Sequence, residues 1–370
     1  MSIDSKSETL VRLTPPKLTR ETLFGEVRCT RPMREGCFNL STEVSAGKRV
    51  VHCYGHGGSG WTTLFGSVSR AIDLFIRSEK RSLPLRVVGA GCMGLVSAIE
   101  LTRRGYKVAG ITAKELYDTT SWKAAGYFAL VSVKTSPEEQ ESLNAIGIET
   151  FKTFQEIALG KHPYLSSDCV RYLPVYCSQD TEAGVEELEI QGLIPPREEV
   201  TLDFGGGVRH PRYLKYMTYF MDTTKLMKQL FAEVKRAGIP IETRELSSFE
   251  EVEEEVVFNC SGLGARQLAG DHKLIPVRGH FLLLNELSGR EHMEYMIYTV
   301  VEQAGRKEYI YLFPKAAAVS VSDPEGAPCF SALGGTFISP VDQLSERELA
   351  ELDEREFEKL LTRSIRFFYG

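Results

Sequence analysis

Apolar runs that end in glycine-rich loops recur along the chain and lead into segments with helical periodicity. The first, residues 48–54, meets four glycines within residues 55–60, and a helical pattern at 68–75 follows. The same order returns at residues 86–104 and, with a shorter loop, at 256–265. Strand, glycine loop and helix in this order are typical of a parallel sheet whose loops approach a ligand. The pattern predicts one α/β, Rossmann-like domain.

In other parts of the chain the apolar stretches are short and do not alternate with helical patterns. Residues 171–219, including 185–194, consist of short apolar stretches broken by Pro and Gly. Such stretches predict antiparallel strands rather than further strand–helix–strand repeats. Three more strands are expected at 275–284, 309–315 and 331–337. The second predicted domain is therefore α+β, with a mostly antiparallel sheet.

Helical patterns complete the picture. One or two amphipathic helices are predicted over residues 136–160, and a charged one over 345–366. Asp222 stands directly before an amphipathic segment at 224–237, where an Asp caps a helix N-terminus well. Residues 1–20, which contain Ser, Thr and Pro, are expected to form a flexible tail.

Composition narrows the possible roles. The 370 residues are 42% hydrophobic and 25% charged, with a formal net charge of -6, which is ordinary for a globular protein of two domains. A mildly acidic chain with scattered Lys and Arg gives no indication of a nucleic-acid surface. No apolar run approaches the roughly 18–20 residues of a membrane span, and the polar N-terminus is no signal peptide. We expect a cytoplasmic protein without membrane or nucleic-acid partners.

Cysteine and histidine spacing argues against a metal site. The eight cysteines include no C-x-x-C pair, and several lie inside apolar runs, which favours reduced, mostly buried thiols. His52 and His56 are four residues apart, but the glycines around them exclude a helix that would place both on one face.

The motif G-x-G-x-x-G, formed by Gly89, Gly91 and Gly94, organises the first domain. Gly89 permits the tight turn, Gly91 allows close backbone approach to a pyrophosphate, and Gly94 allows close packing of helix and strand. The turn alone could be structural. The preceding strand and the following helix favour nucleotide binding.

Two further stretches carry candidate chemistry. Arg31 and Arg34 lie in a basic segment that Pro32 keeps extended, and they are either solvated or hold an anion. Small and hydroxylated residues at 117–127 are suited to approach a ribose or diphosphate, and Glu115 is the acid placed nearest to where a ribose ligand is expected.

Taken together, these motifs resemble the D-amino-acid oxidase family of FAD-dependent enzymes over about residues 21–340. The matching motifs are V-x-G-A-G-x-x-G at 87–94, T-T-x-x-x-A-A-G at 119–126, N-C-S-G-L-G-A-R at 259–266, P-x-R-G-H at 276–280, Y-x-x-P-x at 311–315, L-G-G-T at 333–336, R-P-x-R at 31–34 and H-x-Y-G-H-G-G-x-G at 52–60. Each is modest alone, and their joint presence is specific.

The order of the motifs differs from that of the family. There, the motifs found here at 31–34 and 52–60 come last, after a long helix. Moving residues 21–80 behind Gly370 restores the usual succession. We therefore predict a circular permutation, with the new link around residues 78–84, which surface termini tolerate.

The resemblance implies FAD as cofactor and assigns its contacts. The residues expected to hold FAD are Gly57, Gly58, Ser59, Gly60, Trp61, Thr62, Gly89, Ala90, Gly91, Cys92, Met93, Gly94, Glu115, Thr120, Ser121, Ala125, Gly126, Leu246 and Ser261. N–H groups of the loop at 57–62, with Gly58 counted among the catalytic residues, would stabilise the negative charge of reduced flavin.

Arg31 and Tyr311 match the family residues that hold the substrate carboxylate. A guanidinium pairs with a carboxylate through two hydrogen bonds, which would fix the substrate Cα against the flavin. The implied reaction is oxidative deamination of a D-amino acid or related small amine, with molecular oxygen reduced to hydrogen peroxide. Arg34 is expected to pair with protein groups instead.

The chain departs from the family pattern at two positions. Ala113 stands where the family has a ribose-binding acid, so that contact falls to Glu115 or disappears. Lys307 replaces a second active-site tyrosine, and Tyr309 is a possible substitute. Lys307 in the pocket would favour an acidic substrate side chain, whereas Lys307 in water would have no such effect.

These expectations define domains and alternatives. The FAD domain is predicted at 45–155 and 222–268, and the substrate domain at 21–44, 156–221 and 269–370. A flavin dehydrogenase that uses another electron acceptor and a catalytically silent flavin-binding module remain open. A homodimer is possible.

Overall fold

Two sheets organise the chain in the computed structural model, which describes residues 9–76, 83–130, 136–179, 184–285, 293–303, 305–315, 317–319, 322–323 and 325–370. The strands are β1 (Thr9–Arg12), β2 (Leu23–Arg34), β3 (Asn39–Ser45), β4 (Lys48–Tyr54), β5 (Leu85–Val88), β6 (Val108–Ala113), β7 (Val170–Ser178), β8 (Glu198–Asp203), β9 (Arg209–Met221), β10 (Ile241–Thr243), β11 (Val256–Asn259), β12 (Leu274–Leu284), β13 (Met296–Gln303), β14 (Arg306–Pro314), β15 (Ala317–Ala318), β16 (Ala327–Pro328) and β17 (Ser331–Gly334). The helices are α1 (Leu64–Ile76), α2 (Cys92–Arg103), α3 (Thr120–Lys123), α4 (Pro137–Ala158), α5 (Glu186–Ile190), α6 (Thr223–Arg236), α7 (Ala265–Leu268) and α8 (Glu346–Tyr369).

The six-stranded sheet has the order β10-β6-β5-β11-β4-β3. Its neighbours pair in parallel, except for the β3–β4 hairpin. Apolar faces of α1, α2 and α6 join one large core cluster with this sheet, while a smaller cluster that includes Phe249 and Val252 packs with Val50 and Val257 of the strands. Because the strands are parallel, the carboxyl ends of β4, β5, β6 and β11 meet at one edge.

The nine-stranded sheet has the order β1-β8-β9-β7-β13-β14-β17-β12-β2. The pairings of β1 with β8 and of β7 with β13 are parallel, and the others are antiparallel, so the sheet is mostly antiparallel as predicted, with a mixed part. Helix α8 contributes Phe357, Leu360, Phe367 and Phe368 to the apolar cluster of this sheet.

The predicted helices form with capped ends. One continuous helix, α4, occupies most of 136–160, and Ser136 and Glu139 form a capping box at its start. The Asp222 side chain accepts a hydrogen bond of 3.1 Å from the backbone N–H of Lys225 at the start of α6. The predicted cap at Asp222 located the start of α6, because a cap satisfies an N–H group that the helix itself leaves unpaired.

Three expectations need correction. Within the predicted flexible tail of 1–20, residues 9–12 form β1, because their backbone pairs with β8. The stretch 185–194 contains helix α5 rather than a strand. Strand β3 pairs with β4 in the six-stranded sheet, so the predicted domain boundary at 44/45 cuts through a strand. Residues 1–8 and most of the predicted link at 78–84 lie outside the described residues.

The division into FAD and substrate domains otherwise stays a proposal. In the part of the chain that the structure describes, no helix is long and apolar enough to cross a membrane.

Candidate active site

A cavity of about 610 Å³ opens at the carboxyl edge of the six-stranded sheet and extends to the face of the nine-stranded sheet. Loops after β4, β5, β6 and β11 form one part of its wall, and β2, β12, β13 and β14 form another. The volume lies in the range of about 300–1,000 Å³ that small-molecule and cofactor sites occupy. Of the sequence-predicted site residues, all except Ser59 and Gly94 line this cavity.

The glycine loop after β5, residues 89–94, places the N-terminus of α2 at the cavity. Gly89 has a positive φ of 109°, and a side chain there would collide with the carbonyl of Cys260. Gly94 does not line the cavity; a Cβ there would lie far inside van der Waals contact of the Gly89 carbonyl, so its role is close packing of α2 on the turn. The Ser121 hydroxyl accepts a 3.0 Å hydrogen bond from the N–H of Cys92 at the start of α2. A phosphate at this point would be held by the helix N-terminus and a hydroxyl.

The glycine loop after β4, residues 55–60, lines the same cavity. Its backbone rests on β2, because the N–H of Gly57 donates to the carbonyl of Pro32 at 2.9 Å and a side chain at Gly57 would overlap Met33. Ser59 is the exception: it is buried behind the loop, where its carbonyl accepts hydrogen bonds from the Thr62 and Thr63 hydroxyls. Its predicted cofactor contact is therefore replaced by a role in bracing the loop.

A third loop, residues 118–126, lies between the two glycine loops. The hydroxyl of Thr120 donates to the carbonyl of Thr30 at 3.0 Å, and the indole of Trp61 donates to the carbonyl of Ser121 at 3.1 Å. Gly126 has a φ of 82° and leaves no room for a Cβ against the Met221 carbonyl. These bonds tie the loop to both sheets.

The buried Lys315 supports this loop from behind. Its ammonium donates to the carbonyls of Trp122 and Ala124 at 2.8 and 3.0 Å and to the hydroxyl of Thr223 at 3.0 Å. Burial lowers the pKa of Lys315 from its ordinary value. Three acceptors are what an ammonium requires to be buried, so Lys315 fixes the loop conformation.

The far end of the cavity is lined by Glu115 and Leu246, together with Ala113 at the position of the expected acid. Glu115 is partly exposed there, whereas Ala113 and Leu246 are buried. Ser261 lines the cavity nearby, and its hydroxyl donates to the Asn259 side chain at 2.6 Å.

Arg31 projects into the cavity from β2 and is 7% exposed. It donates one hydrogen bond, of 3.0 Å, to the carbonyl of Thr336, and within the described chain it forms no ion pair. Gly279 on the neighbouring strand makes room for it, since a Cβ there would lie 2.5 Å from the guanidinium. A buried guanidinium with most of its donors unused is prepared to bind an anion.

Tyr311 lines the same region, and its buried hydroxyl has no hydrogen-bond partner among the described residues. Burial raises the pKa of Tyr311 well above its ordinary value, and the nearby charge of Arg31 only partly offsets this. The phenol is therefore neutral and can donate a hydrogen bond to an acceptor in the cavity.

The aromatic wall around these two groups was not predicted. Its members are Tyr127, Phe281, Tyr298, Phe313 and Phe337. Tyr298 faces Tyr311 across the β13–β14 pairing, with ring centroids 5.0 Å apart. The spacing of two between Tyr311 and Phe313 places both side chains on one face of β14, so the sequence could have predicted Phe313 as a second wall residue. Tyr298 could not be predicted in this way, because it lies on another strand and its position opposite Tyr311 depends on the register.

The structure decides between the alternatives for Lys307 and Arg34. Lys307 is exposed on β14 and does not line the cavity. Tyr309 contacts Phe337 of the aromatic wall but does not itself line the cavity. Arg34 pairs with Asp271 at 2.7 Å and with the Cys37 carbonyl at 2.7 Å, as expected for a structural arginine.

A buried polar network behind Arg31 also escaped prediction. Asp353 of α8 accepts hydrogen bonds from Arg278 at 2.6 and 3.1 Å and contacts the His280 ring at 2.8 Å. Burial raises the pKa of Asp353, but the hydrogen bonds from Arg278 and His280 outweigh it and hold the pKa below its ordinary value. His280 contacts the hydroxyl of Thr336 at 2.8 Å, and the carbonyl of Thr336 holds Arg31. The network therefore links α8 to the cavity arginine.

His52 and His56, at the end of β4 and in the loop after it, contact different residues. His52 contacts Asn259 and Glu43 at 3.1 Å each, and His56 contacts the hydroxyl of Ser67 at 3.1 Å. All eight cysteines are free, and six of them are buried.

Acidification is expected to destabilise the fold partly through His56. Burial lowers its pKa from 6.5 to about 3, so the unfolded chain binds a proton that the folded chain does not. The stability from keeping His56 neutral is thus complete above about pH 6.5 and is lost as pH falls toward 3, by at most about 1.4 kcal/mol per pH unit. Urea unfolding at pH 7 and pH 5 should show His56→Gln losing about 2 kcal/mol less than the wild type. Equal losses would contradict the assignment.

Comparison with known proteins places this geometry in a family. The family model for FAD-dependent oxidoreductases, DAO, matches residues 85–369, well over half of the chain. The chain belongs to this family. Members of the family use FAD, and the glycine loops, the helix N-terminus with Ser121 and the volume of the cavity fit that cofactor.

Three individual proteins that match the chain share less than 30% of the aligned residues with it. The chain is 29% identical over 211 residues to a D-amino-acid oxidase of Rubrobacter xylanophilus, covering 53% of this chain and 57% of the relative. It is 26% identical over 228 residues to a D-amino-acid oxidase of Dictyostelium discoideum, covering 57% and 59%. The chain thus spans less than two thirds of the length of these curated relatives. A solved fructosamine oxidase of Aspergillus fumigatus aligns with TM-score 0.45 and 19% identity, covering 77% of this chain and 74% of that chain.

Proposed function

We propose that the chain is an FAD-dependent oxidase of a D-amino acid or related small amine that carries a carboxylate. The observation that supports it most is the pair formed by Arg31 and Tyr311, both at the cavity wall. One is a buried cation without an ion-pair partner in the described chain, and the other is a buried hydroxyl without a hydrogen-bond partner. A substrate carboxylate would satisfy both.

The cofactor would lie along the glycine loops. Its diphosphate would meet the N-terminus of α2 and Ser121, and its adenosine end would reach Leu246 and Glu115. Bound FAD would accept a hydride from the substrate Cα and transfer the electrons to oxygen. The chain itself would hold the substrate carboxylate with Arg31 and Tyr311, and would exclude water with the aromatic wall.

The wall also indicates the substrate side chain. Tyr127, Tyr298 and Phe313 are neutral, with burial raising the pKa of Tyr127 well above its ordinary value. Lys307, the residue that would have favoured an acidic side chain, is exposed to solvent. We therefore propose substrates with neutral side chains, because a charged one beside these rings would be desolvated, and Arg278, which also lines the cavity, is already paired with Asp353.

The purified protein is expected to show the visible bands of bound flavin. Anaerobic addition of D-alanine or D-phenylalanine should bleach them at least about ten times faster than D-aspartate, since an unpaired buried charge costs several kcal/mol. In air, the same substrates should produce hydrogen peroxide. L-alanine serves as the control for stereochemistry.

Two outcomes would redirect the proposal. Bleaching without peroxide in air would support a dehydrogenase that uses another acceptor. A colourless protein that takes up no FAD would contradict both the oxidase and the dehydrogenase.

We also propose that the family order of motifs is circularly permuted. Strand β4 lies in the same sheet as β5, which the permutation requires. The end of α8 lies close to the segment before β2, where Tyr369 donates a 2.6 Å hydrogen bond to the carbonyl of Pro16. A family member in the usual order that aligned without a break across residues 76–85 would contradict the permutation. A homodimer and a cytoplasmic location stay predictions, which sedimentation and cell fractionation can test.

A further inference from the structure

Phe337 is an aromatic residue at the cavity wall that remains 40% exposed. Its ring centroid lies 4.3 Å from Cζ of Arg31. Its edge-to-face contacts with Tyr309 and Tyr311 have centroid separations of 5.7 and 5.9 Å. Single exposed apolar side chains are common, so exposure alone has no meaning. The contact with Arg31 is the feature that needs an explanation.

The backbone around Phe337 is held on both sides. Before it, the Thr336 carbonyl accepts a hydrogen bond from Arg31, and the Thr336 hydroxyl accepts one of 2.8 Å from the His280 N–H. After it, Ile338 exchanges two backbone hydrogen bonds with Arg278, at 2.8 and 3.0 Å. The position of the ring over Arg31 is therefore set by the sheet.

This contact accounts for how Arg31 is accommodated. The guanidinium uses one donor on the Thr336 carbonyl and has no carboxylate partner within the described residues. Cζ of Arg31 lies over the Phe337 ring, and an aromatic face attracts a cation. The Thr336 carbonyl uses one donor and the ring lies against the group, which leaves the other donors of Arg31 for a ligand in the cavity.

We propose that Phe337 is a positioning residue of the substrate carboxylate site. It holds the plane of the Arg31 guanidinium so that the unused N–H donors face the cavity beside Tyr311, and it shields the resulting ion pair from water. This inference rests on the proposed function, because it presumes that the anion bound by Arg31 is a carboxylate.

The test uses the FAD-loaded full chain and propanoate, the amine-free analogue of alanine, titrated by the change in flavin absorbance. Phe337→Leu, which keeps an apolar side chain without the ring face, is expected to raise the Kd for propanoate by about 3- to 30-fold. With D-alanine, KM should rise by a similar factor while kcat changes less than about 3-fold, because ground-state and transition-state binding are weakened alike. Affinity should also become more sensitive to salt, since exposed ion pairs are screened.

Two further variants keep the test interpretable. Phe337→Tyr retains the ring and should bind propanoate within about 2-fold of the wild type. Phe24→Leu makes the same change at a residue that is 39% exposed and lies outside the cavity, and should have no effect. If Phe337→Leu loads no FAD, Phe337→Met takes its place with the same expected result.

The outcomes separate this inference from the proposed function. If the wild type binds propanoate, Arg31→Met abolishes binding and Phe337→Leu leaves Kd and KM unchanged, only the role of Phe337 is refuted. If the FAD-loaded wild type binds no propanoate and Arg31→Met changes nothing, the carboxylate site itself is absent and the proposed function fails with it.

Discussion

Replacing Arg31 by methionine is expected to lower kcat/KM for a neutral D-amino acid by about 10³-fold, while FAD remains bound. Loss of one partner from a buried, hydrogen-bonded charge pair costs about 2–5 kcal/mol, and about 1.4 kcal/mol corresponds to a factor of ten. Arg31 lies on β2 of the nine-stranded sheet, and the glycine loops after β4 and β5 do not depend on its charge. Steady-state kinetics and the flavin spectrum of the variant test both parts.

Two variants sharpen the result. Arg31→Lys retains the charge but loses the planar pair of donors, so its kcat/KM should lie between those of the wild type and Arg31→Met. Arg347→Met removes an arginine whose side chain is 89% exposed on α8 and should have no effect. Full activity of Arg31→Met would remove the basis for the proposed substrate clamp.

The Gly94→Ala substitution is expected to cause a large loss of stability. The added Cβ would overlap the carbonyl of Gly89, which is backbone and cannot rotate away. Helix α2 would have to move off the turn, and forcing extra atoms into such close packing costs about 3 kcal/mol, the upper end of the usual range, where backbone must shift. The N-terminus of α2 would move with the helix, so most of the FAD should be lost. Thermal unfolding and the flavin-to-protein absorbance ratio measure the two effects.

Gly160→Ala is the matched control. Gly160 has a φ of 67°, and a Cβ there meets nothing within 4 Å. The only penalty is backbone strain of about 1–2 kcal/mol, with FAD retained. If the Gly94→Ala protein kept the wild-type melting temperature and its full flavin content, α2 and the turn at Gly89 would have to accept a Cβ without cost, and the packing argument would be wrong.

Local sequence was sufficient where neighbours along the chain decide the structure. The turn at Gly89, the cap at Asp222 and the apolar face of α1 depend on residues within a few positions of one another. The prediction of Gly94 as a packing residue rests on the same short range, because helix and turn are covalently adjacent. These elements formed as predicted.

Errors arose where a distant strand provides the partner. Residues 9–12 look like a tail because β8, which pairs with them, lies almost two hundred positions away. The resemblance placed Ser59 at the cofactor with its loop neighbours, but Ser59 is buried behind the cavity wall, and the hydroxyls of Thr62 and Thr63 donate to its carbonyl. Lys307 could face either side until the register of β13 and β14 was known.

Local sequence patterns predicted the strand–glycine–helix units, and the resemblance carried by the motifs pointed to the family that the family model confirms. The same resemblance named Arg31 and Tyr311 as carboxylate-binding residues, and that role stays a proposal. Both glycine loops line one cavity, as the resemblance implied, but only the tertiary structure showed that Arg31 is buried without an ion-pair partner in the described chain and that the Phe337 ring lies against it. The physical reason is that burial and charge pairing depend on which strands lie side by side. That arrangement is set by long-range packing, which no stretch of sequence contains.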